Sequence, residues 1–255
     1  MDLRLRRRGL LGFSLGMAVY ALLIVALYPS FRHDSSLDSL TKGNEKLMAL
    51  FGAAGSLTSP SGWMNANLYG NFLPLIALLM TIGYGASAVA GQNEDGALGG
   101  FASLPISRDR LLAGKVAALA IHALPVPVVC LVVTLVGRGF ELHLDSGPLL
   151  AVTVTASLMA FDFGLIALAV GSWTGSRGTA LAVATVLAAG SYLISSMAAV
   201  ISGIHAVRFL SPVYWAVGAG QITQGTTAVQ VALLVGLGGL LGVVSWIGFK
   251  RLDIA

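Results

Sequence analysis

The chain has 255 residues, of which 56% are hydrophobic and only 10% are charged, and its mean hydropathy is +0.85. Soluble domains carry about a quarter charged residues, so this composition excludes an ordinary soluble protein. In a membrane protein, the formal net charge of +4 reflects topology and contact with anionic lipid headgroups, and not the binding of nucleic acid.

Six hydrophobic runs are long enough to cross a bilayer, which takes roughly 20 helical residues. They predict an all-α membrane protein with a single domain over residues 1–255. A cleaved signal peptide is the alternative for the first run, which follows the basic sequence RLRRR. That run is too long for a signal peptide, and no small-x-small cleavage site follows it. The predicted spans are Leu10–Tyr28, Asn71–Ala90, Val116–Val136, Pro148–Val170, Thr179–Ile201 and Ala228–Phe249.

Six spans place both termini on one side of the membrane, and basic residues concentrate on the cytoplasmic side. With both termini and residues 91–115 inside, ten basic residues are cytoplasmic and five are external. None of the predicted spans contains Lys or Arg. The inner set is Arg4, Arg6, Arg7, Arg8, Arg108, Arg110, Lys115, Arg177, Lys250 and Arg251, and the outer set is Arg32, Lys42, Lys46, Arg138 and Arg208.

Two external segments are long enough to carry structure of their own. Residues 37–51 have an apolar stripe that predicts a short amphipathic helix on the outer membrane surface. Residues 202–227, which include Tyr214 and Trp215, have two interpretations of equal weight. They form either a re-entrant segment before the sixth span or an ordinary interfacial loop.

The hydrophilic stretch AGQNEDGALGGFASLPISRDRLLAGK, residues 90–115, separates the second and third spans. Ser107 is a good helix N-cap, Asp109 suits the first turn, and Pro105 blocks a helix just before them. Upstream, EDGALGGFASL allows one short helix flanked by glycine bends. Its apolar face of Leu98, Phe101 and Leu104 predicts a docking element for a soluble partner.

This stretch resembles the first cytoplasmic loop of ABC-2 type transporter permeases. An acidic pair, a glycine, an apolar segment and LPISRDRLLAGK follow one another in the family's order. SPSGWMNANLYGN, LSPVYWA and the ending FKRLDIA are similar to family patterns as well, so the resemblance covers essentially the whole chain. Each motif by itself is degenerate, and the resemblance rests on the order and spacing of the motifs along the chain. Gln92-Asn93 depart from relatives that often have another acidic residue, which bears on how much charge the loop offers a partner.

The resemblance implies that the loop forms a coupling helix seated in a groove of a separate ATPase subunit. It implies two copies of that ATPase and a second permease, either the same chain or a similar one. The expected function is export of a drug, antibiotic or lipid across a bacterial plasma membrane. The implied coupling residues are Glu94, Asp95, Gly96, Leu98, Phe101, Leu104, Pro105 and Arg108.

The nucleotide is expected on the partner and not on this chain. A phosphate-binding loop needs a leading glycine and then Gly-Lys followed by Ser or Thr. The single Gly-Lys pair, Gly114-Lys115, is followed by Val116, and Asp109 stands in place of the leading glycine. We therefore expect no catalytic activity, cofactor or metal on this chain, with ATP and magnesium bound by the ATPase.

By the same resemblance, the second and fifth spans line the transport path. Their mostly apolar walls favour a hydrophobic or amphipathic substrate. The alternative is that their small polar residues hold helices together, as is common in membranes. The candidate path residues are Thr81, Tyr84, Ser87, Ser191, Tyr192 and Ser195.

His122 and Asp162 are unusual because each lies inside a predicted span. They sit roughly 9 and 12 Å from the same membrane face, on consecutive antiparallel helices. A buried acid usually has a partner, so we predict that the two form a hydrogen-bonded or ionic pair. In the alternative, Asp162 is neutral or faces water, and His122 bonds to a backbone carbonyl.

A secondary, ion-coupled carrier is the main functional alternative, since six spans with helix-breaking residues can form one. Such a carrier would not need a charged docking element. Copurification with an ATPase chain distinguishes the two functions.

We expect a cysteine introduced at Ser56 to react with an impermeant reagent added outside the cell, and a cysteine at Ser103 to be protected. The reason is the distribution of basic residues, which places 29–70 outside and 91–115 inside. Labelling of intact cells measures this, and the reverse pattern would contradict the predicted topology.

Overall fold

The computed structural model describes residues 2–33, 56–102, 107–198, 206–218 and 220–252. These residues form helices joined by short connections, with no strand among them. Six of the described segments are long and apolar enough to cross a membrane, as predicted. The amphipathic helix predicted at 37–51 lies outside the described residues. The spans are Arg8–Phe31, Pro60–Glu94, Arg108–Phe140, Ser146–Thr174, Arg177–Ala198 and Ala228–Arg251, numbered here span 1 to span 6.

Spans 2 and 3 are longer than predicted because polar sequence continues as helix beyond their apolar centres. Span 2 begins early because the Ser59 hydroxyl accepts the N–H of Gly62 and Pro60 occupies the first helical position. Its pieces are Pro60–Met64, Asn65–Tyr69, Phe72–Ala86, Ser87–Gly91 and Gln92–Glu94, the second and fourth being π-helical. Span 3 comprises Arg108–Ala123, Pro125–Val136 and Gly137–Phe140.

The start of span 3 agrees with the predicted cap. The Ser107 hydroxyl accepts the N–H of Arg110 at 3.3 Å, and Asp109 lies in the first turn. Because the helix starts there, Lys115 belongs to span 3, where it is buried and donates to the side chain of Gln92. Lys115 therefore lies on the span 3 helix, one residue before the predicted apolar run that begins at Val116. The caps at Ser59 and Ser107 start these helices several residues before the apolar runs from which the spans were predicted.

Span 4 is the centre of the bundle and packs against spans 2, 3, 5 and 6. Spans 2 and 4 approach closely at Gly85 and Gly164, where the two backbones face each other. A Cβ on Gly85 would lie 2.1 Å from the carbonyl oxygen of Gly164, and a Cβ on Gly164 would meet the side chain of Leu119 at 2.5 Å. Spans 2, 3 and 4 therefore pack together at this point because Gly85 and Gly164 have no side chains. Small residues commonly allow such close helix packing in membranes.

Residues 206–218 fold back against the bundle instead of forming a simple loop. The hydroxyl of Thr155 in span 4 donates to the carbonyl of Ala216 at 2.9 Å, and Ser191 in span 5 bonds with Ser211 at 2.9 Å. Thr155 lies about 13 Å along span 4 from its first residue. The segment therefore reaches well into the bundle and packs against spans 4 and 5.

Replacing Gly85 with alanine should destabilise the protein, because the new methyl group would overlap the Gly164 carbonyl. Overpacking of this kind typically costs about 1–3 kcal/mol. The melting temperature in detergent measures the effect. Gly83→Ala is the matched control, since no atom lies within 4 Å of its Cβ position, and it should be neutral or stabilising. Equal stability of both variants would contradict the proposed close packing.

Candidate coupling surface and transport path

In the described part of the connection between spans 2 and 3, Ala97–Ala102 form a short helix. A turn at Asp95–Gly96 precedes it, and Gly96 has a φ of 69°, which glycine adopts without strain. The short helix predicted from the sequence is therefore present. Residues 103–106, including Leu104 and Pro105, lie outside the described part of the chain, as does the side chain of Phe101.

Leu98 points into the bundle. It is fully buried and belongs to an apolar cluster with Leu119, Leu168 and Phe249. The prediction that Leu98 presents itself to a partner was wrong, because this side chain attaches the short helix to its own chain. Of the residues described here, Glu94, Asp95, Gly96, Ala97 and Gly100 form the exposed surface.

Glu94 connects the end of span 2 to the start of span 5. Its Oε1 accepts the backbone N–H of Arg177, the first residue of span 5, at 2.8 Å. A helix N-terminus carries partial positive charge and unpaired N–H groups, so a carboxylate there stabilises the helix. A displacement of Glu94 would therefore break this hydrogen bond or move the first turn of span 5 with it.

Arg108 makes the complementary contact at the end of span 6. Its Nη1 donates to the carbonyl oxygens of Phe249, Lys250 and Leu252 at 3.4, 3.3 and 3.1 Å. Positive charge suits a helix C-terminus. The two charged residues that flank the connection thus face helix ends of the same chain, although the sequence suggested the rim of a partner interface.

A groove of about 670 Å³ lies between spans 2 and 5. None of its described lining residues is charged, and the polar ones are Asn71, Thr185 and Tyr192. The Tyr192 hydroxyl donates to Oδ1 of Asn71 and so bridges the two spans. The remaining lining residues are Phe72, Pro74, Leu75, Leu78, Leu79, Ile82, Gly83, Leu181, Ala188 and Ala189.

Tyr192 is the one predicted path residue among those that line the groove. On span 2, Thr81 and Ser87 are buried and donate to the carbonyls four residues earlier, Ala77 at 3.0 Å and Gly83 at 2.8 Å. Tyr84 is buried and donates to the carbonyl of Lys115 at 3.3 Å.

The two span 5 serines also face inward. Ser191 accepts the backbone N–H of Val213 at 3.2 Å, and Ser195 is buried against Gly218. In this structure the hydroxyls on these faces contact neighbouring helices and residues 211–218. This agrees with the alternative interpretation, in which the small polar residues hold helices together. Thr185 and Tyr192 are seven residues apart and share a helix face, a spacing that could have identified Thr185 from the sequence.

His122 and Asp162 face different helices. Nδ1 of His122 lies 2.7 Å from the carbonyl of Ala118, and its ring stacks on Tyr84 with centroids 4.3 Å apart. The Asp162 carboxylate points toward span 6, where a Cβ on Gly238 would lie 2.7 Å from Oδ1. Within the described residues, neither oxygen of Asp162 has a hydrogen-bond partner. The predicted hydrogen bond between the two side chains is therefore absent, because span 3 turns His122 toward span 2 and span 4 turns Asp162 toward span 6.

Comparison with protein families gives a match over residues 1–251 to the model described as ABC-2 family transporter protein. The chain belongs to the ABC-2 transporter family. No curated protein sequence matches it. The match spans all six membrane segments, and so it agrees with the resemblance seen in the loop motifs.

Membership establishes the broad role of this ABC-2 permease. It is a multi-pass membrane protein and a transport component of ABC type, a kind of subunit that is not itself catalytic. Members of the family generally work with an ABC ATPase.

Proposed function

We propose that this permease is the membrane subunit of an exporter that moves a hydrophobic or amphipathic compound, such as a drug, antibiotic or lipid. The observation that carries the proposal is the groove between spans 2 and 5, whose walls are almost wholly apolar. Binding sites for small molecules are mostly apolar with a few placed polar groups. Asn71, Thr185 and Tyr192 are such groups, and they suit an uncharged hydrogen-bonding end on the substrate.

Energy in this proposal comes from ATP and magnesium bound by two copies of a separate ATPase that dock on the 94–107 connection. The exposed turn at Asp95–Ala97 offers the ATPase a surface. The contact of Glu94 with Arg177 continues from that surface into span 5, which forms one wall of the groove. A movement imposed on the connection would thus change the spacing between spans 2 and 5.

A second permease, identical or similar, completes the path in this proposal. Among the described residues, the groove is lined by spans 2 and 5 of a single chain. A second subunit facing it would enclose the substrate and exclude lipid. Both termini and the connection are cytoplasmic in this arrangement, in agreement with the distribution of basic residues, and the assembly lies in a bacterial plasma membrane.

Replacing Phe101 and Leu104 together with alanine should weaken binding of the ATPase. Loss of a buried aromatic anchor commonly costs about 2 kcal/mol or more, which corresponds to roughly 30-fold in affinity. Copurification of the partner at graded concentrations measures this. Phe140→Ala is the control, because Phe140 is a partly exposed phenylalanine at the opposite end of span 3. Wild-type affinity of the double variant would contradict docking at this connection, and transport without any ATPase would favour the secondary carrier.

Filling the groove should stop transport and leave the ATPase bound. Ala189 is exposed and lines the groove, so Ala189→Trp places an indole in the path. We expect the transport rate to fall at least about tenfold, equivalent to about 1.4 kcal/mol on the barrier. Val186→Trp is the matched control, since Val186 is 69% exposed on the same helix and lies outside the groove. Equal transport by both variants in reconstituted vesicles would remove the groove from the path.

A further inference from the structure

A second groove, separate from the transport path, lies between the start of span 3 and the end of span 6. We propose that it binds a phospholipid with a primary ammonium headgroup, one acyl chain lying in the groove and the headgroup at its charged end. The groove has a volume of about 490 Å³. Its lining residues are Asp109, Leu112, Ala113, Val116, Ala117, Ala120, Gly242 and Trp246.

The wall of this groove suits a hydrocarbon chain. Beyond Asp109 its residues are apolar, and the small ones, Ala113, Ala117, Ala120 and Gly242, leave space between the two helices. Asp109 and Ala120 are eleven residues apart, a distance of about 16 Å along span 3. Both spans are membrane-crossing by length and composition. The groove therefore runs from a helix end toward the middle of the bilayer, as one acyl chain of a lipid does.

The charged end of the groove carries one acid and one base in contact. Oδ1 of Asp109 accepts the indole N–H of Trp246 at 2.7 Å and lies 3.7 Å from Nζ of Lys250. Nζ of Lys250 also lies 3.7 Å from the centre of the Trp246 ring. The Trp246 indole thus contacts both Asp109 and Lys250 near a helix end. Tryptophan is enriched at the interface between hydrocarbon and headgroups, which suits this position.

Both charges remain accessible to a ligand. The side chains of Lys250 and Asp109 are 45% and 59% exposed, and both contacts of the carboxylate use Oδ1. A phosphate can approach Lys250, and an ammonium group can donate to Oδ2 of Asp109. A zwitterionic headgroup with a primary ammonium satisfies both residues through charge-assisted hydrogen bonds.

Other lipid headgroups match this pair less well. An anionic lipid without an amine can bring its phosphate to Lys250 but offers no ammonium group to the Asp109 carboxylate. A trimethylammonium headgroup has no N–H to donate to the carboxylate. The chemistry of the site therefore selects the primary ammonium, and hydrogen bonding is the basis of the selection.

Quenching of tryptophan fluorescence by brominated lipids tests the proposal on the purified full-length chain. Phosphatidylethanolamine with brominated acyl chains is added to the protein in mixed micelles, in parallel with brominated phosphatidylcholine and phosphatidylglycerol. The signal of Trp246 is the difference between the wild type and Trp246→Phe. We expect saturable quenching of Trp246, with half-saturation at about fivefold lower phosphatidylethanolamine than either other lipid, which is a modest gain from one charge-assisted contact.

Variants separate the two parts of the site. Asp109→Asn should abolish the preference for phosphatidylethanolamine over phosphatidylcholine, and Ala117→Leu should abolish saturable quenching by filling the groove. Arg251→Gln is the matched control for Lys250→Gln, because Arg251 lies over Trp173 and not over Trp246. Lys250→Gln should weaken binding, and Arg251→Gln should not. Melting temperatures show that each variant is folded.

Two results would overturn the proposal. One is equal, unsaturable quenching by the three lipids, which would describe ordinary contact with the bilayer. The other is a preference for phosphatidylglycerol, which would indicate general attraction of anionic lipid to the basic end of the bundle, the end that carries Arg108, Arg110, Arg177, Lys250 and Arg251. The measurement needs no ATPase or transported substrate, so its outcome is independent of the proposed transport function.

Discussion

The close approach of spans 2 and 4 at Gly85 and Gly164 sets the rotation of both helices, and most of the remaining structure follows from it. With Gly85 against span 4, Thr81 lies on the same inward face, near Gly164. Ile82 is one residue away and therefore points elsewhere, into the groove beside span 5. Span 2 thus packs against span 4 with the face that carries Thr81 and Gly85, and a different face, which carries Ile82, forms the wall of the candidate transport path.

Hydroxyl groups inside this bundle are used mainly for packing. Thr81, Ser87, Thr134 and Thr153 each donate to the carbonyl four residues earlier in the same helix. This bond satisfies a hydroxyl where no water is available, and it leaves the helix surface effectively apolar. An apolar groove bordered by Asn71, Thr185 and Tyr192 is consequently consistent with spans that contain many Ser and Thr residues.

The charges at the basic end of the bundle are placed by helix electrostatics. Glu94 lies at the N-terminus of span 5 and Arg108 at the C-terminus of span 6, each with the sign that the helix end favours. Leu98 attaches the intervening short helix to the same bundle. Glu94, Leu98 and Arg108 are therefore each held by contacts within the permease fold, and a partner that moves them would move the ends of spans 5 and 6 as well.

Hydropathy by itself determined the six spans, because about 20 apolar residues in a row have one stable arrangement in a bilayer. Local rules determined the Ser107 cap and the short helix at Ala97–Ala102, since both depend on neighbours in sequence. Rotation about a helix axis depends on contacts between distant residues, and only the tertiary structure decided it. For this reason Leu98, predicted to face a partner, is buried, and five of the six predicted path residues face the bundle. For the same reason His122 and Asp162, which both lie on membrane-crossing helices, face different helices: a similar predicted depth does not imply a shared face.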